Sequence, residues 1–240
     1  MSSMNWCSQV DSYTLSHRWE ISEPLAMKIL DSTTQRGWRY IEDHFTRRFR
    51  TQQAHMRYPH LCSGVFTDTL FNDTTSVRGN NCAQLFVTDD GHSRIYPLPS
   101  KGQAFDKLDL YCSTVGIPLF LVSDNVGEET GSDWERVRKK SLFQQRTTEP
   151  HSPWQNRAER EIQELKRHFR HIMHRSKCPE RFWDYSIEYT SQIRERMSRH
   201  LTNECTPNKK LTGITPDISE YLHFDYYGWV KYHDVRGGGT

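Results

Sequence analysis

Long apolar runs are missing from this 240-residue sequence, whose mean hydropathy is −0.84. The longest run is Ile117–Val122, and Pro118 interrupts it. A membrane-spanning helix needs about 20 consecutive apolar residues, so we expect none here. The first twenty residues lack a basic start followed by an apolar segment, so no secretory signal peptide is expected either.

Closely spaced cysteine pairs of the C-x-x-C kind are also missing, which disfavours a disulfide scaffold and a zinc module. His55 and His60 are spaced as zinc-binding histidines can be, but no C-x-x-C pair follows them. Unpaired cysteines are typical of an intracellular, reduced protein. The six cysteines are Cys7, Cys62, Cys82, Cys112, Cys178 and Cys205.

The chain as a whole lacks a large net charge, because its 32 Lys and Arg residues nearly balance its 30 Asp and Glu residues. The charge is nevertheless uneven along the sequence. The segment from Pro153 to Lys177 contains seven Lys and Arg residues and only three Glu residues. Such a segment could neutralise nucleic-acid phosphates, or it could be a solvated helix face with internal ion pairs.

Short segments rich in β-forming residues begin near Gly64. Three of them predict a meander of strands, and Asp89-Asp90-Gly91 predicts the turn between the second and third. A continuous apolar segment predicts a strand buried on both faces, and a short polar strand follows it. The predicted strands are Gly64–Phe71, Ala83–Thr88, Arg94–Leu98, Pro118–Ser123 and a segment within Ser141–Thr148.

Helical spacing of apolar residues predicts the remaining elements. The longest helix is expected to start at the cap Ser152 and Pro153 and to bury one stripe, and Pro179–Met197 should be a second amphipathic helix. Strands and helices in this order are typical of an α/β fold with a mixed sheet. The other predicted helices are Glu23–Ile41, Gln103–Cys112 and Ser132–Leu142; the candidates for burial in the last helix are Phe182, Tyr185, Ile187, Tyr189 and Ile193.

Three acidic residues are placed on these elements in a pattern that suggests a shared cation-binding site. Asp68 lies within the first strand, Asp124 directly follows the apolar strand, and Glu159 lies in the first turns of the long helix. Adjacent strands would bring the two aspartates together, and three neighbouring carboxylates repel one another unless they share a cation. Oxygen ligands favour Mg²⁺ or Mn²⁺. Each residue could instead be an ordinary turn or surface acid.

The order Asp, Asp, Glu on strand, strand and helix resembles the integrase catalytic core of retroviruses and LTR retrotransposons. Here 55 residues separate Asp68 from Asp124, and 34 separate Asp124 from Glu159. The segment SDNVGEET resembles the S-D-N-x-G-E element of copia-type integrases, and HSPWQNRAERE resembles their P-x-Q-N-x-A-E-R element. PERFWDYSIEYTSQIR and TPNKKLTGITPDIS resemble two segments that follow in that family. The resemblance covers roughly Leu61–Tyr232.

This resemblance implies an RNase H-like α/β fold, with a mixed five-stranded sheet and flanking helices. It implies an enzyme that processes DNA 3′ ends and transfers strands, using two Mg²⁺ or Mn²⁺ ions. Asp68, Asp124 and Glu159 would be both the catalytic residues and the metal ligands, with Glu161 as an alternative third ligand. Lys166 matches a lysine that contacts the element's DNA end. The residues expected to bind DNA are Arg157, Lys166, Arg167 and Arg170.

The resemblance also divides the chain. Residues 1–60 would be a polar pre-integrase-like region without an intact zinc module, residues 61–200 the catalytic core, and residues 201–240 a truncated C-terminal extension. Expected partners are element-end and target DNA and further copies of the chain, in the nucleus and in cytoplasmic particles, with no membrane involvement. The alternative is a catalytically inactive retroelement fragment that binds nucleic acid or serves in assembly.

Overall fold

A five-stranded mixed sheet forms the centre of the computed structural model, which describes residues 9–36, 54–123, 132–147, 157–198, 205–221 and 223–226. The strand order is β3-β2-β1-β4-β5. The first three strands form an antiparallel meander, while β4 and β5 run parallel to β1. The strands are β1 (Val65–Phe71), β2 (Cys82–Thr88), β3 (Ser93–Leu98), β4 (Phe120–Ser123) and β5 (Gln144–Thr147).

Helices cover both faces of the sheet, so the prediction of an RNase H-like α/β fold is confirmed. The predicted turn is also confirmed, because Gly91 takes a positive φ of 81° and donates its N–H to the carbonyl of Thr88. No helix in the described ranges is long and apolar enough to span a membrane. The helices are α1 (Ser12–Trp19), α2 (Glu23–Ser32), α3 (Ala54–Arg57), α4 (Ala104–Thr114), α5 (Ser132–Ser141), α6 (Arg157–Ser176), α7 (Trp183–Arg194) and α8 (Pro207–Thr212).

The alternation of side chains along β1 decides which residues face which layer of helices. Val65 packs with residues of α4 and α5, whereas Phe66 and Leu70 pack with residues of α6 and α7. Successive side chains of a strand point to opposite faces. Asp68, midway between Phe66 and Leu70, therefore lies on the face that α6 covers.

Buried hydrogen bonds fix β1 from the opposite face. The Gln84 amide of β2 donates to the Thr67 hydroxyl at 2.7 Å and accepts from the Thr69 hydroxyl at 2.6 Å. Thr67 and Gln84 have no exposed surface. These bonds satisfy the polar groups of a strand that the core surrounds, and they hold the two residues that flank Asp68.

The helices α1 and α2 pack against α6 and α7 in a third hydrophobic cluster. Leu15 and Trp19 of α1 are fully buried there, with Ile172 of α6 and Ile193 of α7. The sequence pattern missed α1, and the predicted helix Glu23–Ile41 is too long, because α2 ends at Ser32. There the chain turns extended, so that Thr34 donates its N–H to the carbonyl of Pro216.

The prediction that Tyr185 of α7 is buried is wrong. The Tyr185 ring is 43% exposed, and the Arg78 guanidinium lies 4.1 Å from its centroid. Arg78 is held there by ion pairs to Asp184 at 2.6 Å and to Glu188 at 2.8 Å. The observed helix is also shorter than predicted, since a 3₁₀ turn replaces its first residues.

His168 predicts a measurable pH dependence of stability. Its imidazole is buried between α6 and α1, where Nε2 lies 2.5 Å from the carbonyl oxygen of Trp19. Burial lowers the pKa of His168 to about 4, with Arg194 and His171 adding to the shift. The unfolded chain, with a His pKa near 6.5, binds the proton first as the pH falls, so stability is lost on acidification. We expect the free energy of unfolding to fall by about 2 kcal/mol between pH 7 and pH 5 from this residue.

The measurement is denaturant unfolding of the wild type and the His168→Gln variant at both pH values. Gln still donates to the Trp19 carbonyl but does not titrate, so the pH dependence of the variant should be smaller by that amount. Equal pH dependence in the two proteins would contradict the assignment.

Candidate active site

Asp68 lies on the central strand, on the face of the sheet that α6 covers. Its side chain is half-buried, and Oδ1 accepts a hydrogen bond from the backbone N–H of Thr69 at 2.7 Å. Its register partner across β2 is Leu85, which belongs to the cluster under α6. A carboxylate in this position can reach solvent at the edge of an apolar surface, as a ligand-binding acid must.

Asp124 lies outside the described residues. The strand that precedes it, β4, is described to Ser123 and pairs in parallel with β1 through Val65–Leu121 and Phe66–Val122. The predicted helix start at Ser152 and Pro153 also lies outside the described residues, which resume at Arg157.

Glu159 and Glu161 differ in what surrounds them. Glu159, in the first turn of α6, is exposed. Glu161 is buried, and its Oε1 accepts from the Nε of Arg194 at 3.0 Å and from its Nη2 at 2.9 Å. The two side chains of this ion pair are 10% and 13% exposed, so Glu161 already has a cationic partner. The geometry favours Glu159 as the residue available to a ligand.

The direction in which Glu159 faces follows from helix geometry. Residues two apart lie about 160° from each other around an α-helix. Because Glu161 pairs with Arg194 of α7, Glu159 faces away from α7. Helix α7 packs on β3, and α6 packs on β1 and β2. The side of α6 that carries Glu159 is therefore the side nearer to β4.

The four predicted DNA-binding residues separate into two groups on α6. Lys166 and Arg170 follow Glu159 by seven and eleven residues, so all three lie within about 20° of one line along the helix. Arg157 lies about 160° from that line. Arg167 is about 80° away and pairs with Glu164 at 3.3 Å. Lys166 and Arg170 are thus the cations that share the face of Glu159.

The histidines of the same helix contribute less charge than the sequence suggests. His171 and His174 are exposed, but His168 is buried, and its lowered pKa keeps it neutral at pH 7. The sequence alone could not separate the three, because they recur every third residue and step around the helix.

Among the described residues of this face, the candidate metal ligands are carboxylates. No group of three or more His, Cys, Asp or Glu residues that could hold a metal ion occurs within the described ranges, which do not include Asp124. Asp68 and Glu159 both offer oxygen donors with access to solvent. Their chemistry fits Mg²⁺ or Mn²⁺ rather than a metal that prefers nitrogen or sulfur.

The fold and the face of α6 define the class of protein as an RNase H-like α/β protein with acidic residues on its central strand and neighbouring helix. No protein-family model matches the chain, and no curated protein matches it.

Proposed function

We propose that the chain is the catalytic core of a copia-type retrotransposon integrase, which processes DNA 3′ ends and transfers strands with the help of divalent cations. The observation that carries the proposal is the position of Asp68. An acidic residue stands on the central strand of an RNase H-like sheet, on the face covered by the helix that presents Glu159.

The register of the parallel strands supports a role for Asp124. Asp68 follows Phe66 by two residues, and Asp124 follows Val122, the partner of Phe66, by the same number. Asp124 itself lies outside the described residues, and its role in this proposal comes from the family resemblance and from this equal spacing in the sequence.

Asp68, Asp124 and Glu159 would hold the two cations of this proposal. When bound, Mg²⁺ or Mn²⁺ would supply an activated oxygen nucleophile and stabilise the departing 3′ oxygen of the DNA strand. The protein's own contribution is to fix the carboxylates on rigid elements. Buried hydrogen bonds hold β1, and an apolar stripe packs α6 against the sheet.

Lys166 and Arg170 would hold the DNA backbone beside the carboxylates. They lie about 10 and 16 Å from Glu159 along the helix axis, a distance that spans several phosphates of one strand. Contacts to phosphate fix the register and orientation of DNA without reading its sequence. The expected multimer of the family would supply further DNA contacts.

A disintegration or strand-transfer assay with Mn²⁺ tests the proposal. We expect product from the wild-type chain and none when Asp68 or Asp124 is replaced by Asn. Salt-dependent DNA binding without any product would support the alternative of an inactive, nucleic-acid-binding fragment.

The double variant Lys166→Ala/Arg170→Ala tests the DNA-binding face of α6. Each lost phosphate contact lowers the slope of log affinity against log salt by about 0.9 for B-form DNA, so we expect a slope smaller by about 2. The measurement is DNA binding at several salt concentrations. The matched control is Arg136→Ala/Lys139→Ala on α5, which removes the same charges from side chains 67% and 69% exposed. Equal slopes for the two double variants would contradict the prediction.

A further inference from the structure

A cation on β5 shares the face of the sheet that carries Asp68. Val122 of β4 is the register partner of Phe66 on one side and of Arg146 on the other. Partners in parallel strands point to the same face, so these three side chains form one row across β1, β4 and β5. Asp68 lies two residues beyond Phe66 on that same face. With strands about 4.8 Å apart, Arg146 is about 10 Å across the sheet from β1.

Exposure increases along this row from β4 to β5, because Val122 is buried whereas Arg146 is exposed. The hydrophobic cluster under α6 and α7 contains side chains of β1, β2 and β3, and none of β4 or β5 among the described residues. Arg146 is exposed, and Phe120 below it is only partly buried. The outer end of the row, at Arg146, is therefore accessible to a ligand on the face of the sheet that carries Asp68.

The Arg146 guanidinium is held in place rather than extended freely into solvent. It lies 4.3 Å from the centroid of the Phe120 ring, within the range of a cation–π contact. Stacking of this kind uses the flat face of the guanidinium and leaves the N–H groups at its edge available. Those groups match phosphate oxygens in a two-point hydrogen bond, which a lysine cannot make.

We propose that Arg146 binds a phosphate of the DNA strand that crosses β4, opposite Lys166 and Arg170. This proposal rests on the proposed function and adds a residue to that same site. DNA is the expected ligand because cations lie on both sides of Asp68, with Lys166 and Arg170 on α6 and Arg146 on β5. The strand would lie between these two sets of cations.

An exposed arginine on an edge strand has another common role, which is to discourage pairing with a second sheet. In that case Arg146 would affect aggregation and leave DNA affinity unchanged. The experiment must therefore measure DNA binding and association of the protein separately.

The test uses the full chain and a fluorescein-labelled DNA duplex, in EDTA, over a series of NaCl concentrations. The variants are Arg146→Ala, Arg146→Lys and Arg146→Glu. Loss of one phosphate contact lowers the salt slope by about 0.9, which is about fivefold in affinity near 0.15 M salt. We expect this loss in Arg146→Ala, a larger one in Arg146→Glu, and a slope close to wild type with weaker binding in Arg146→Lys.

The matched control is Arg136→Ala, because Arg136 also lies over an aromatic ring, at 5.7 Å from the centroid of Phe105. It is on α5, which packs on the opposite face of the sheet. Thermal unfolding and light scattering of each variant verify that it is folded and monodisperse.

Three outcomes separate the two proposals. A lower slope in Arg146→Ala but not in Arg136→Ala supports the inference. If Arg146→Ala binds DNA like the control while Asp68→Asn abolishes strand transfer, the inference is wrong and the proposed function stands. If the wild-type chain shows no salt-dependent binding to the duplex, both are wrong.

Discussion

The Asp68→Asn variant is expected to lose strand transfer by about a thousandfold or more while remaining folded. Asn is nearly the same size as Asp, and its Oδ1 can still accept the hydrogen bond from the Thr69 N–H. The substitution removes the negative charge that a divalent cation needs, and metal-dependent phosphoryl transfer depends on such ligands. The measurement is the rate of product formation in Mn²⁺, with thermal unfolding to verify the fold.

Asp73→Asn is the matched control for this prediction. Asp73 is an exposed aspartate that follows β1 by two residues, so the control removes the same charge from a position just beyond the strand that carries Asp68. We expect its rate to stay within about threefold of wild type, as is usual for surface substitutions away from a site. Equal rates for Asp68→Asn and the wild type would rule out the proposed site, whatever the DNA affinity.

Most of the sheet could be predicted from the sequence because its signals are local. The meander consists of β-forming segments separated by Asn-, Asp- and Gly-rich turns, and β4 is a continuous apolar run. Helix α1 could not be predicted, because its eight residues are mostly polar. Its stability comes from burying Leu15 and Trp19 against α6 and α7, which are far away in the sequence. The early end of α2 has a similar cause, since Thr34 pairs with the distant Asp217.

The candidate site was only partly accessible to sequence reasoning. The pattern of acidic residues singled out Asp68 and Glu159, and the structure gives them accessible positions on facing elements. The choice between Glu159 and Glu161 required Arg194, which lies 33 residues further along the chain. Arg146 gave no local signal, because the face to which it points depends on the register of β5 with β4. Contacts between distant segments, rather than local preference, determine what surrounds Glu161 and to which face Arg146 points.

The two glutamates of α6 should separate function from stability when each is replaced by Gln. Glu159→Gln removes an exposed carboxylate, so the free energy of unfolding should change by less than about 0.5 kcal/mol. We expect strand transfer to fall at least about a hundredfold, because a metal ligand is lost.

Glu161→Gln removes the charged partner of Arg194, whose side chain is only 13% exposed. Since Gln can still accept one hydrogen bond, the cost should be about 2 kcal/mol, below that of deleting a buried partner outright. Strand transfer should persist where this variant is folded.

The double variant Glu161→Gln/Arg194→Gln verifies the cause of the instability. If the cost comes from an unmatched buried charge, the double variant should be less destabilised than the sum of the two single variants, as measured by denaturant unfolding. Glu159→Gln serves as the control at the other side of the helix and should show no such coupling with Arg194→Gln. Loss of activity in a stably folded Glu161→Gln, with normal activity in Glu159→Gln, would reverse the assignment. The third carboxylate would then be the one that faces α7, and Arg194 would have to give up its partner for DNA chemistry to occur.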